Sequence, residues 1–131
     1  MEGLKKLNLS TFRDERGALT VVEMKDYVDW PVKRVYFLTE VSDSRGGHCV
    51  KGEKKMYICQ KGSCKARFHD GNEWKEFELN GPDDAILMDE EFYRDFIDFS
   101  QDAVLMAISS VNYVPKDYIY DLEEFIKYKK S

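Results

Sequence analysis

The segment Arg45-Gly46-Gly47-His48-Cys49-Val50, with Lys55 and Tyr57 shortly after it, holds the side chains best suited to chemistry. An imidazole, an ammonium and a phenol on one strand face suit a small molecule that is anionic or carries a carbonyl. Histidine exchanges protons near neutral pH, and lysine brings a compact positive charge. Tyrosine donates or accepts a hydrogen bond. If the strands alternate strictly, His48, Lys55 and Tyr57 share a face that looks into a cavity. The opposite phase turns Met56 and Ile58 to the core and leaves Lys55 solvated, and the pattern from 54 to 60 fits both. Cys49 and His48 do not read as a nucleophile and its base, because neighbouring strand residues point to opposite faces. The planar guanidinium of Arg16, Arg34, Arg45 or Arg67 could hold a phosphate.

These residues need strands to position them, and strand signals dominate the chain. Candidate strands are 19–23, 32–38, 54–60, 64–68, 74–79, 85–88, 94–99 and 103–108, besides the segment at 45–50. Asp70-Gly71 marks a tight hairpin turn, Lys61-Gly62 a second hairpin and Asn80-Gly81-Pro82 a third turn. His69 is expected at the surface beside its turn, and Asp83-Asp84 and Asp89-Glu90-Glu91 in solvated loops. Many short strands with no helix between them indicate a sandwich or barrel. At the C-terminus, Ile119, Leu122, Phe125 and Ile126 repeat at helical spacing. Asp121 with Glu124 resembles a capping box, so a short helix is expected on the outside of the barrel.

The 131 residues fit one domain, 1–131, and 43% hydrophobic content suffices for a single core. A net charge of −5 argues against a nucleic-acid partner, which would need a basic face. No apolar run approaches the ~20 residues that cross a membrane. The first residues lack the apolar core of a signal peptide, so a cytoplasmic location is expected. Cys49, Cys59 and Cys64 are odd in number and form no C-x-x-C pair, which speaks against a disulfide framework or a zinc site.

The residues quoted above, taken in order, give the chain the look of a cupin. More narrowly, it resembles the dTDP-4-keto-6-deoxyglucose 3,4-ketoisomerases. The matching pieces are Asp14-Glu15-Arg16-Gly17-Ala18-Leu19, Lys33-Arg34-Val35-Tyr36, Arg45-Gly46-Gly47-His48, Gly62-Ser63-Cys64, Asp70-Gly71, Phe99-Ser100 and Asp117-Tyr118-Ile119. The resemblance implies an all-β cupin jelly-roll barrel with a short C-terminal helix. It also implies a homodimer whose N-terminal strands cross to the partner, with no metal and no organic cofactor. Such enzymes move a ketone from C4 to C3 of a dTDP-linked keto sugar through an enediol. Their product feeds aminotransferases that make 3-amino sugars for surface polysaccharide.

The chain departs from the family pattern at three places, four residues in all. Val50 stands where the family has a second histidine. Lys55 replaces a glutamine, and Tyr93-Arg94 replaces a Trp-His pair. On the metal-cupin pattern the four ligand positions become His48, Val50, Lys55 and Arg94. Protonated lysine and arginine have no lone pair to give, and valine has no donor atom, so a metal is not expected. The resemblance makes His48 the base and Tyr36 a proton donor or relay, with Lys55 and Arg94 stabilising an enediolate oxygen if they face inward. Arg16, Arg45, Tyr57 and Arg67 are then the substrate-binding candidates. The three departures also suit an alternative, a cupin that binds a nucleotide sugar or another anion without turning it over.

Overall fold

The computed structural model describes residues 1–131. Its strands are β1 (Leu4–Asn8), β2 (Ser10–Asp14), β3 (Gly17–Val21), β4 (Arg34–Leu38), β5 (Arg45–Val50) and β6 (Lys55–Lys61). They continue with β7 (Ser63–His69), β8 (Trp74–Asn80), β9 (Asp84–Met88), β10 (Tyr93–Ile97), β11 (Val104–Ser109) and β12 (Tyr118–Ile119), and helix α1 (Leu122–Lys130) follows. Two five-stranded sheets, ordered β1-β9-β6-β11-β4 and β12-β5-β10-β7-β8, enclose the core, and β2 pairs only with β3. All the strand pairs are antiparallel. This is the expected jelly roll, in which the chain passes repeatedly from one sheet to the other.

Asp70-Gly71 does form the β7–β8 hairpin, and the Asp70 carboxylate accepts from the backbone N–H of Asn72 and Glu73. Gly62 is a correction. β6 and β7 lie in different sheets, so Lys61-Gly62 is a barrel corner and not a hairpin. Gly62 has φ +69°, and a Cβ there would stand 2.9 Å from the Cα of Ala103. The Asn80-Gly81-Pro82 turn likewise carries the chain between sheets.

The two phases considered for 54–60 turn out to be two buried faces. Tyr57 and Cys59 point inward with Phe68, Leu79, Ile86, Phe96 and Leu105. Met56 and Ile58 point outward, beneath Leu9, Val22, Met24, Tyr27, Val28 and Trp30. A strand covered on both sides loses its alternation and reads as a continuous apolar run.

Several surface expectations are corrected. His69 is 6% exposed, because its Nδ1 accepts from the Gly71 N–H and its ring packs edge-on to Trp74 and Phe125. Asp84 belongs to β9 and accepts from the Asn80 N–H. Asp89 and Glu90 do lie exposed in a loop, while Glu91 beside them is half-buried and accepts from the Tyr128 hydroxyl and the Gly52 N–H. At the C-terminus, Ile119 lies in β12 opposite Cys49, ahead of the helix and not in it. The Asp121 side chain caps α1 by accepting from the Glu124 N–H at 3.2 Å. Phe125 then anchors the helix against Cys49 and Ile119 on the barrel exterior.

Candidate active site

β5 and β10 run side by side with His48 opposite Arg94, and a register shift follows Arg94. Gly46 makes that irregularity possible. Its φ is +94°, and a Cβ there would sit 3.0 Å from the Arg94 carbonyl oxygen and the Asp95 Cα. The glycines before His48 thus admit neighbouring backbone. They set His48 at the wall of a cavity between the sheets, with Tyr36, Arg45 and Tyr57, over a floor that includes Phe96 and Leu105.

His48 packs against Tyr118 at 5.2 Å and Tyr120 at 6.2 Å between ring centroids. Burial pushes its pKa down to about 4, and the positive charges of Arg94 and Lys55 add to the effect. At neutral pH the imidazole is uncharged, with a ring nitrogen lone pair available.

Lys55 opens β6 and is fully buried, which decides the phase left open by the sequence. Its Nζ donates to Tyr36 Oη at 2.5 Å and lies 3.3 Å from Glu53 Oε2. Burial, with Arg94 close by, brings the pKa of Lys55 down to about 7 despite the carboxylate. Burial also raises the phenol of Tyr36, so it stays protonated.

Arg94 is fully buried as well. Its Nη2 donates to Glu53 Oε1, its Nε donates to Tyr57 Oη at 2.9 Å, and its Nη1 donates to the Phe92 carbonyl at 3.3 Å. Burial opposes its charge, but Tyr57 and Glu53 more than offset this, and the guanidinium stays cationic. Tyr57, buried and held as an acceptor, is pushed above the usual phenol range by burial.

Glu53 is the residue that the sequence reading missed. It is 1% exposed and accepts from Ser109 Oγ at 2.6 Å and from Arg34 Nη2 at 3.4 Å, besides pairing with Arg94 and Lys55. Burial alone would raise its pKa, but Arg94 and Lys55 outweigh this and hold it below the usual value. Two inward cations demand a buried anion, and the sequence reading assigned Glu53 no role. Tyr118 and Tyr120 were also not foreseen as the packing around His48.

Other candidates stand elsewhere. Arg45 reaches the mouth of the cavity. Arg67 does not face it, because alternation along β7 gives Ala66 and Phe68 to the core. Arg67 instead pairs with Asp95 at 2.6 Å and lies over Trp74 on the outer surface. Arg16 sits at the β2–β3 turn, its side chain 85% exposed and paired with Asp14, away from this cavity. Cys49 faces Phe125, and burial pushes its thiol up to about 12. No three His, Cys, Asp or Glu are arranged so that they could hold a metal ion. Lys55 and Arg94 fill two of the four metal-cupin positions with N–H donors, a set that does not suit a metal.

Fold and cavity together define a cupin-type jelly roll with an uncharged imidazole on the cavity wall and buried positive charge close to it. The chain belongs to the FdtA family (WxcM-like, C-terminal), whose model matches residues 2–130. It is 32% identical over 126 residues to the TDP-4-oxo-6-deoxy-alpha-D-glucose-3,4-oxoisomerase of Aneurinibacillus thermoaerophilus, covering 95% of this chain and 91% of that one. Among solved structures it is similar to a histidine variant of the 3,4-ketoisomerase QdtA of Thermoanaerobacterium thermosaccharolyticum in complex with TDP-4-keto-6-deoxyglucose. That pair has TM-score 0.90 and 30% identity, over 99% of this chain and 96% of that one. A 3,4-ketoisomerase from Helicobacter canadensis matches with TM-score 0.90 and 28% identity over 98% of each chain. The WlaRB TDP-quinovose 3,4-ketoisomerase of Campylobacter jejuni matches with TM-score 0.87 and 31% identity, over 97% of this chain and 99% of that one.

Proposed function

We propose that this protein is a sugar 3,4-ketoisomerase acting on a TDP-linked 4-keto-6-deoxyhexose through an enediol. The observation that carries the reading is the placement of His48, an uncharged imidazole on the cavity wall opposite the buried cation Arg94. In this scheme His48 removes the proton from C3. Negative charge then develops on the sugar oxygens, and the buried charges of Lys55 and Arg94 act on it through Tyr36 and Tyr57, the cavity-lining phenols to which they donate. Tyr36, which lines the same cavity, supplies a hydrogen bond or proton to the reacting oxygens. Arg45 at the mouth holds the diphosphate.

The reading extends to a homodimer. The β2–β3 hairpin makes no sheet pairing with the barrel, and it exposes Phe12 and Leu19 at 63% each. A hairpin of this kind crossing to a second copy would bury those side chains and carry Arg16 toward the partner's cavity. The expected setting is cytoplasmic synthesis of deoxyamino sugars for surface polysaccharide, with the 3-keto product passing to an aminotransferase.

The direct test is proton NMR of the purified protein with TDP-4-keto-6-deoxyglucose in deuterated water. A 3-keto product carrying deuterium at C3 or C4 supports the isomerase. Binding without product or exchange supports the non-catalytic alternative, which Val50 in the second histidine position favours.

A further inference from the structure

Moving a ketone from C4 to C3 shifts two protons. One leaves carbon 3 and arrives at carbon 4. The other leaves the hydroxyl on C3 and arrives at the oxygen on C4. In the function proposed above, His48 serves the carbons. An imidazole that has taken the carbon proton is an imidazolium, with no lone pair left to accept another. The oxygen proton therefore needs its own carrier, and Val50 offers none.

We propose that Tyr36 carries the proton between the two sugar oxygens and that Lys55, behind it, loads and unloads the phenol. This inference rests on the ketoisomerase reading and adds a second proton path to it.

The geometry supports the pairing. Lys55 Nζ donates to Tyr36 Oη at 2.5 Å, so the phenol's own hydrogen is left for a partner in the cavity that Tyr36 lines. Lys55 is 0% exposed and is not part of the cavity wall, whereas Tyr36, to which it donates, lines that wall. The only carboxylate within reach, Glu53, is already shared with Arg94, Ser109 and Arg34. The charged and titratable groups around Lys55 are thus Arg94 from β10, Arg34 and Tyr36 from β4, Tyr57 from its own strand, and Glu53 from the preceding loop. Three cations face one carboxylate. That surplus of positive charge favours release of a proton by the lysine, the one cation of the three able to release it near neutral pH. Its pKa of about 7 accords with this.

The steps balance. As the C3–H bond breaks toward His48, its electron pair forms the C3=C4 bond and the carbonyl pair moves to the C4 oxygen. That oxygen takes the phenol proton of Tyr36, which is replaced from the Lys55 ammonium. In the second half, the C3 hydroxyl gives its proton to Tyr36 as Tyr36 returns one to the neutral Lys55 amine. The C3=O bond forms, and the C3=C4 pair takes the proton from His48 at C4. No proton is gained or lost and no redox partner is needed.

The experiment compares the parent protein with Lys55→Arg and Tyr36→Phe in deuterated water, using TDP-4-keto-6-deoxyglucose. Arginine keeps the positive charge but does not release a proton. We expect Lys55→Arg and Tyr36→Phe to lose conversion by about 100-fold or more, the scale of a positioned proton carrier, while deuterium still enters at C3 through His48. In the parent, turnover should fall as pH rises through about 7, where Lys55 loses its proton. Conversion by Lys55→Arg within a few-fold of the parent would overturn the relay and leave Lys55 a fixed charge. Should Lys55→Arg fail to fold, Tyr36→Phe decides alone, because it removes only the hydroxyl; retained conversion overturns the proposal. A parent protein with neither conversion nor exchange overturns the ketoisomerase reading itself, an outcome distinct from an active parent with an active Lys55→Arg.

Discussion

Glu53 and Arg94 form an ion pair with both side chains taken out of water, at 1% and 0% residue exposure. Such a pair is costly to desolvate and costlier to break, because the surviving partner is left buried and uncompensated. Here the survivor would be two buried cations, since Lys55 leans on the same carboxylate. Glu53→Gln keeps the shape and removes the charge. It should lose roughly 3–5 kcal/mol of stability, read by urea denaturation. Parent-like stability would show that the cluster does not depend on this anion.

Stability should depend on pH in a direction set by three groups. His48 folds with a pKa of about 4 against an ordinary 6.5, and Lys55 with about 7 against 10.5. In each window the unfolded chain binds the extra proton, so stability rises with pH from about 4 to 6.5 and again from about 7 upward. The pKa of Glu53 is also lowered, and its contribution is lost as pH falls through the acid range. Urea midpoints at about pH 5, 7 and 9 should therefore increase in that order. A midpoint that drops from about 7 to 9 would contradict the assigned state of Lys55.

The two arginines on the chain's second half-barrel and its mouth should separate cleanly. Arg67 pairs with Asp95 on the outer surface, a partly exposed pair worth at most about 1 kcal/mol. Arg67→Ala should leave kcat and KM unchanged. Arg45→Ala, at the cavity mouth, should raise KM for the TDP sugar with a smaller effect on kcat. The reverse pattern in steady-state assays would mean that the substrate lies on the outer face of β7.

The β2–β3 hairpin supplies a test of assembly. A solvated hairpin that bares Phe12 and Leu19 lacks the packing an isolated two-stranded ribbon needs. Light scattering should report a dimer for the parent protein and a shift toward monomer for Leu19→Glu. A monomeric parent would remove the crossing hairpin from the account and leave Arg16 without a role in catalysis.

Much of this molecule was legible in its sequence, for identifiable reasons. β7 alternates cleanly, Asp70-Gly71 specifies its own hairpin, and Asp121 with Glu124 announces the helix. Their signals are local. The phase of β6 was not legible, because both of its faces are buried and Met56-Tyr57-Ile58-Cys59 carries no period. β1 and β2 were missed, since Lys5, Lys6 and the exposed Arg13 and Asp14 dilute their apolar positions. In the site, His48 stood out through its residue type and the glycines before it. Glu53 did not, because a carboxylate among lysines looks like a solvated turn until tertiary structure brings Arg94 to it. Arg67 was nominated for its chemistry alone, and strand alternation removes it from the cavity.

The most direct test of the central claim is His48→Asn, which keeps a polar side chain of similar reach and removes the proton carrier. The assay is conversion and deuterium entry at C3 for TDP-4-keto-6-deoxyglucose, with TDP affinity measured alongside. If His48 is the base, conversion and C3 exchange both fall by about 100-fold or more, while TDP binds as it does to the parent. Conversion that survives the substitution would contradict the account, because no other uncharged imidazole lines this cavity.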